Sequence, residues 1–302
     1  MLRDTLLYLS QHDGLRNFAL SNRAARNFSH RFVAGEQLSD SIEVTRTLNQ
    51  RGLSVALDHL GENVTDEHEA RAATEDYIRA LGSIKESGLD ANISIKLTAL
   101  GLDISPILCE ENLRRLLSEA GRLGIFVCID MESSAYTERT LDLTLRLHRE
   151  FEQVGTVIQA YLYRSKDDLE RLLQEGVRVR LVKGAYKEPP NLAFPQKAEV
   201  DANYVRLMGM VLARGNFPAI ATHDEAMITA ACRFVRDHGI SRDAFEFQML
   251  YGIRRDLQER LVRQGYHVRV YVPYGSQWYP YLMRRLAERP ANLMFVLSNA
   301  WR

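Results

Sequence analysis

Cysteine is scarce: Cys109, Cys128 and Cys232 are the three in 302 residues, and no two share a C-x-x-C spacing. That excludes a disulfide framework or a thiolate zinc site and points to a reducing compartment. Lysine is scarce as well. Only 6 of the 39 basic residues are lysine, so a lysine at a special position stands out against an arginine background. Neither sign of charge is in excess, because Asp and Glu also total 39. A nucleic-acid binder leans on a basic surplus; none exists here, which leaves room only for a local basic pocket. No apolar run approaches the ~18 residues that cross a bilayer. No Pro/Gly/Ser-rich linker, internal repeat or low-complexity segment divides the chain.

Several catalytic signatures are also missing. No G-x-G-x-x-G follows a strand, so a Rossmann dinucleotide site is excluded. No G-x-S-x-G offers a nucleophilic serine. No H-E-x-x-H, His-x-His pair or carboxylate cluster offers a metal site.

What is present is a chain 46% hydrophobic and 26% charged, enough to bury a sizeable core. Its beginning is arginine-rich in "RNFALSNRAARNFSHRF" (16–32), but Asp4 and Asp13 argue against a transit peptide, which avoids acids. Residues 1–48 read as an amphipathic helical arm, and the working assignment is a bacterial cytoplasmic protein. From residue 49 to 302 short apolar runs alternate with longer helical patterns. Strands are expected at 52–57, 91–97, 124–130, 156–162, 177–182, 218–222, 244–250 and 267–273. A helix is expected over 65–88 with a Thr cap and a closing Gly, and another opening at Ser105-Pro106. Eight strands and eight helices in strict alternation define an α/β chain folded as a (β/α)8 TIM-type barrel with an N-terminal helical arm.

Such a barrel works at the C-terminal ends of its strands. Those ends carry Glu62, Lys96, Asp130, Gln159, Arg180, Lys183, Tyr186, Thr222, His223, Gln248, Leu250 and Tyr271. Beyond them, "YPYLMRRLAERP" (279–290) places Arg284 and Arg285 side by side on a helix. Consecutive helical residues point about 100° apart, so both guanidinia cannot lie on one solvated stripe. Singly, each polar strand end reads as an ion-pair partner or a helix cap, and the aromatic-rich "YVPYGSQWYPY" reads as core. Together they form one mouth whose basic side chains suit a carboxylate substrate or a phosphate-bearing cofactor.

Four runs carry a family likeness: "RVRLVKGAYKEP" (178–189), "ATHDEAM" (221–227), "EFQMLYGIR" (246–254) and "YLMRRLAE" (281–288). In this order they resemble proline dehydrogenase, the flavin-dependent barrel that is also one domain of bifunctional proline utilization A. The resemblance covers about Gly52 to Glu288. It implies oxidation of L-proline to Δ1-pyrroline-5-carboxylate, with hydride passing to FAD and electrons to a membrane quinone. It also implies a peripheral position at the inner membrane face and a pyrroline-5-carboxylate dehydrogenase as a partner that removes the product.

The resemblance further implies roles by residue. Lys96, Arg284 and Arg285 would clamp the proline carboxylate, and Glu62 would gate the site by pairing with Arg284. Tyr186, Leu250 and Tyr271 would pack the pyrrolidine ring, the tyrosine at 271 favouring proline over hydroxyproline. Asp130 would orient Lys96 or Tyr271 and adjoin the cofactor. Arg180 would sit by flavin N5 and O4, while Gln159, Lys183, Thr222, His223, Arg285 and Glu288 would contact FAD. No general base for the amine is assigned. The loop 187–200 is given no conformation. The apolar "LMFVL" near the C-terminus is expected to be buried. Two alternatives stay open: a Schiff-base lysine aldolase acting through Lys96 or Lys183, and a non-catalytic barrel that binds an anion or a protein. Nothing in the pattern specifies an oligomeric state.

Overall fold

The structure, a computed structural model, describes residues 29–61 and 64–288, the side chains of 284–288 excepted. Eight parallel strands close into a barrel in sequence order, each bonded to its neighbours and the eighth to the first. They are β1 (Ser54–His59), β2 (Ala91–Ile95), β3 (Val127–Ile129), β4 (Val154–Gln159), β5 (Arg178–Val182), β6 (Ala219–Ala221), β7 (Glu246–Leu250) and β8 (His267–Tyr274). All eight expected strands are present, and their ends move by up to three residues. The fourth stops at Gln159 rather than 162, because Ala160 and Tyr161 leave the sheet to bond the carbonyls of Val182 and Lys183.

Helices follow in the same rhythm: α1 (Leu38–Gln50), α2 (Glu67–Glu86), α3 (Pro106–Leu123), α4 (Ser134–His148), α5 (Ser165–Gln174), α6 (Lys197–Arg214), α7 (Glu225–Asp237), α8 (Arg255–Arg263) and α9 (Trp278–Glu288). Local chemistry fixes their starts. Ser105 caps α3, accepting from the Leu108 N–H, with Pro106 in the first turn, where its missing N–H costs nothing. The cap of α2 is Asp66, not the expected Thr65. Asp66 accepts from the Glu69 N–H, while the Glu69 carboxylate reaches back to the Thr65 N–H, a capping box shifted by one position.

Strand alternation sorts the side chains. Val55, Leu57, Ile93, Ile95, Val127, Ile129, Val179, Leu181, Phe247, Met249, Val268, Val270 and Val272 belong to one large core formed with the helices. The alternate residues line the barrel interior, and many are charged. Glu246, 1% exposed, accepts from Arg269 Nε at 3.0 Å by both oxygens and pairs with Arg178 at 3.0 Å. Arg178 is held between the rings of Phe126 and Phe217 at 4.4 and 4.5 Å. This ionic layer lies toward the N-terminal ends of the strands, where a regular barrel carries branched aliphatics.

The last helix departs from a regular barrel. The place between β8 and β1 is taken by α1, which packs on both strands. Helix α9 instead packs at the mouth: Trp278, Tyr279, Tyr281 and Leu282 cluster with Leu60, just past β1, and with Phe32 and Val33. The segment before α1 is tied to the same rim by bonds from Ala34 N–H to the Pro273 carbonyl and from Gly275 N–H to the Gly35 carbonyl, both 2.9 Å. Helix α1 also runs through the expected arm–barrel boundary at residue 48. Residues 1–28 and the apolar 293–297 run lie outside the described residues, as do Glu62 and the side chains of Arg284, Arg285 and Glu288.

Candidate active site

Parallel register gathers the site. Asp58 pairs with Ser94, Ser94 with Cys128, and Leu250 with Tyr271. Lys96 follows two residues after Ser94 on the same face, and Asp130 two after Cys128, so both enter the mouth beside Asp58. Lys96 Nζ donates to Asp58 Oδ1 at 2.8 Å and stands 3.7 Å from Asp130 Oδ2. Asp130 accepts from the Tyr271 hydroxyl at 2.6 Å and from Arg180 Nη1 at 2.6 Å. Arg180 crosses the barrel to donate to Ser94 Oγ at 2.8 Å, and its guanidinium lies 5.4 Å from the Tyr271 ring centre. Two carboxylates, two cations and one phenol thus share a single buried network.

Burial sets its electrostatics. Desolvation pushes the Asp58 carboxyl above its ordinary value, with Lys96 opposing and Asp130 adding to the rise. Burial, then the charges of Asp130 and Asp58, holds the Tyr271 phenol well above its ordinary value, so it is a donor at neutral pH. For Arg180 burial opposes the charge, but Cys128, Asp130, Tyr271 and Glu246 outweigh it and raise the group. Below them the Cys128 thiol is pushed up to about 11 by burial, too high for a thiolate nucleophile.

A second group lies on the β5–β6 side. Lys183 is clamped by Asp201 at 2.5 Å and Asp224 at 2.7 Å. Gly184 beside it has φ +114, and a Cβ there would strike the Tyr161 ring, so this turn needs glycine. Asp224 also caps α7 through the Ala226 N–H. His223 does not cap that helix: its Nε2 accepts from the Leu250 N–H at 2.8 Å, joining the ends of β6 and β7. Thr222 Oγ1 accepts from the Asp224 N–H. Gln159 donates to the Glu132 carbonyl at 3.0 Å.

The loop left without a conformation is fixed by Glu188, which accepts from the N–H and hydroxyl of Ser134 at the start of α4. Tyr186, just before that loop, is 37% exposed. Lys96, Asp130, Arg180, Tyr271 and Leu250 are therefore drawn together, whereas Lys183, Thr222, His223 and Gln159 form the adjoining rim. Sequence reading missed Asp58, Ser94, Glu132 and Asp201. Asp58 had a signal: it shares the inward parity of Ala56 and follows the apolar run Val55–Leu57. Asp201 had none, being one acid among many on a helix.

A closed parallel barrel with a desolvated charge network at the C-terminal ends of its strands is a (β/α)8-barrel enzyme. The chain belongs to the proline dehydrogenase family: the model of that family, described as "Proline dehydrogenase", matches residues 41–298. It is 44% identical over 297 residues to proline dehydrogenase 2 of Bacillus subtilis strain 168, covering 98% of each chain. It is also 44% identical over 285 residues to a proline dehydrogenase of Deinococcus radiodurans, covering 93% of this chain and 92% of that one. Among solved structures it resembles proline utilization A of Bdellovibrio bacteriovorus, in a form inactivated by N-propargylglycine. There the TM-score is 0.81 at 28% identity, over 87% of this chain and 32% of the other.

Proposed function

We propose that the chain oxidises L-proline to Δ1-pyrroline-5-carboxylate, using FAD, with a membrane quinone as the final electron acceptor. Family membership over nearly the whole chain supports the reaction; the Lys96–Asp58–Asp130–Tyr271–Arg180 network is the observation that carries it to particular residues. FAD supplies the hydride acceptor when bound. The mouth suits such a group: Arg180 is a buried cation whose Nε has no hydrogen-bond partner among the described residues, a donor ready for an electron-rich ring edge that gains charge on reduction. Gln159, Lys183, Thr222, His223, Asp130, Arg285 and Glu288 are the residues proposed to hold it.

Substrate binding falls to the other side of the network. Lys96, with Arg284 and Arg285 from α9, takes the proline carboxylate, since arginine's planar fork matches a carboxylate. The packing of α9 against Leu60 at the mouth supports a role for that helix at the site. Leu250, Tyr186 and Tyr271 hold the ring, and hydride transfer depends on that placement more than on an acid or base. Asp130 orients Tyr271 and Arg180 through its two short bonds. Glu62 is proposed as the gate that pairs with Arg284. No helix among the described residues is long and apolar enough to cross a membrane. A pyrroline-5-carboxylate dehydrogenase would then consume the product.

The Schiff-base reading is weakened by the ion pairs. Lys96 and Lys183 each stand between two carboxylates, whereas a nucleophilic lysine must present an uncharged amine. With FAD and a soluble redox dye, the purified chain should reduce the dye on L-proline and release a pyrroline. Dye reduction independent of proline, or none at all, would refute the proposal.

A further inference from the structure

From the position of Asp58 beneath Lys96 we infer that Asp58 is a positioning residue for the anion site, acting through Lys96; the inference rests on the function proposed above. Nζ of Lys96 ends a flexible four-carbon stem with three donors that can rotate freely. Such a group defines a site only if something fixes it. Asp58 does so from the neighbouring strand: β1–β2 register sets it against Ser94, one inward step below Lys96, and its Oδ1 accepts from Nζ at 2.8 Å. Asp130 stands 3.7 Å from Nζ, beyond hydrogen-bond distance, and its two oxygens are held in place by short bonds from Arg180 and Tyr271.

The placement is costly, which is why it points to function. Asp58 is 1% exposed, and a carboxylate so deeply placed gains no stability that a packed apolar side chain could not supply. Tyr271 lies close enough to act on Asp58 too. The carboxylate therefore stands under both groups proposed to meet the substrate, one holding its carboxylate and one its ring. An opposite expectation exists and makes the inference testable. If Asp58 merely competed with the substrate anion for Lys96, removing it would strengthen anion binding.

The test uses full-length flavin-loaded protein and a five-membered-ring carboxylate that lacks the oxidisable amine. Affinity is read from the change that this probe makes in the flavin band and from its thermal shift. Asp58→Ala should weaken binding about tenfold with flavin content retained, and Asp58→Asn, which keeps an acceptor in place, should weaken it less. In a Lys96→Met background neither change should weaken it further, the non-additivity expected of two residues acting as one.

Unchanged or tighter binding in Asp58→Asn, or an equal loss with Lys96→Met present, would overturn the inference. So would lost flavin with unaltered affinity in the remainder, the mark of a purely structural role. If Asp58→Ala does not fold, the Asp58→Asn comparison alone decides. The functional proposal fails separately, if the unsubstituted protein holds no flavin or ignores the probe.

Discussion

The residues that carry the proposal differ in how visible they were beforehand. Lys96 stood out because lysine is rare in this chain, and Asp130 because it closes an apolar strand. Asp58 did not, although it accepts from Lys96 Nζ at 2.8 Å. Its meaning lies in a neighbouring strand 38 residues away, and a single strand read alone does not show which acid will face a cation. His223 was visible as a polar strand end, but its bond to the Leu250 N–H, which joins the ends of β6 and β7, was not. At this scale the carboxylate clamp is the claim to press. Arg284→Met should raise KM for proline about tenfold or more while flavin stays bound, since one charge-assisted pair is lost from binding. An unaltered KM would remove Arg284 from the carboxylate site.

Elements were the most legible level. The period-2 runs located every strand, because a strand buried against helices on one face must repeat apolar residues there. Ends were less certain, since the chain leaves the strand where a loop carbonyl offers a bond, as at Tyr161, whose N–H bonds the Lys183 carbonyl just past β5. The cap of α2 shows the same limit, with Thr and Asp adjacent and both able to cap. Asp66→Ala should cost about 1 kcal/mol, the usual effect of losing an N-cap, and Thr65→Ala much less. Equal losses in chemical denaturation would return the cap to Thr65. Helix α9 packs at the mouth, and α1 takes the place between β8 and β1. No periodicity within α9 could reveal that placement.

Across the whole molecule, the barrel interior is the unusual feature. An ionic layer of Arg178, Glu246 and Arg269 underlies the active-site network, so charge runs through what is commonly an apolar core. At the rim, His59 stacks on Tyr274 at 5.0 Å. Burial, then Lys96 and Arg79, lowers the His59 pKa below its ordinary 6.5. The unfolded chain thus takes a proton there before the folded one does. Stability from His59 is present in full above about pH 6.5 and lost as pH falls below it. His59→Asn should therefore flatten the fall of Tm as pH drops below about 6.5; an unchanged slope would assign the acid sensitivity to other groups.

The proposed function requires this barrel to bind FAD and to reduce it with L-proline. The visible spectrum of the purified protein, supplied with FAD and freed of oxygen, tests it in one titration. Bleaching of the flavin bands on adding L-proline is the predicted result. A protein that, given FAD, binds none, or whose bound flavin keeps its colour in excess proline, would contradict the account.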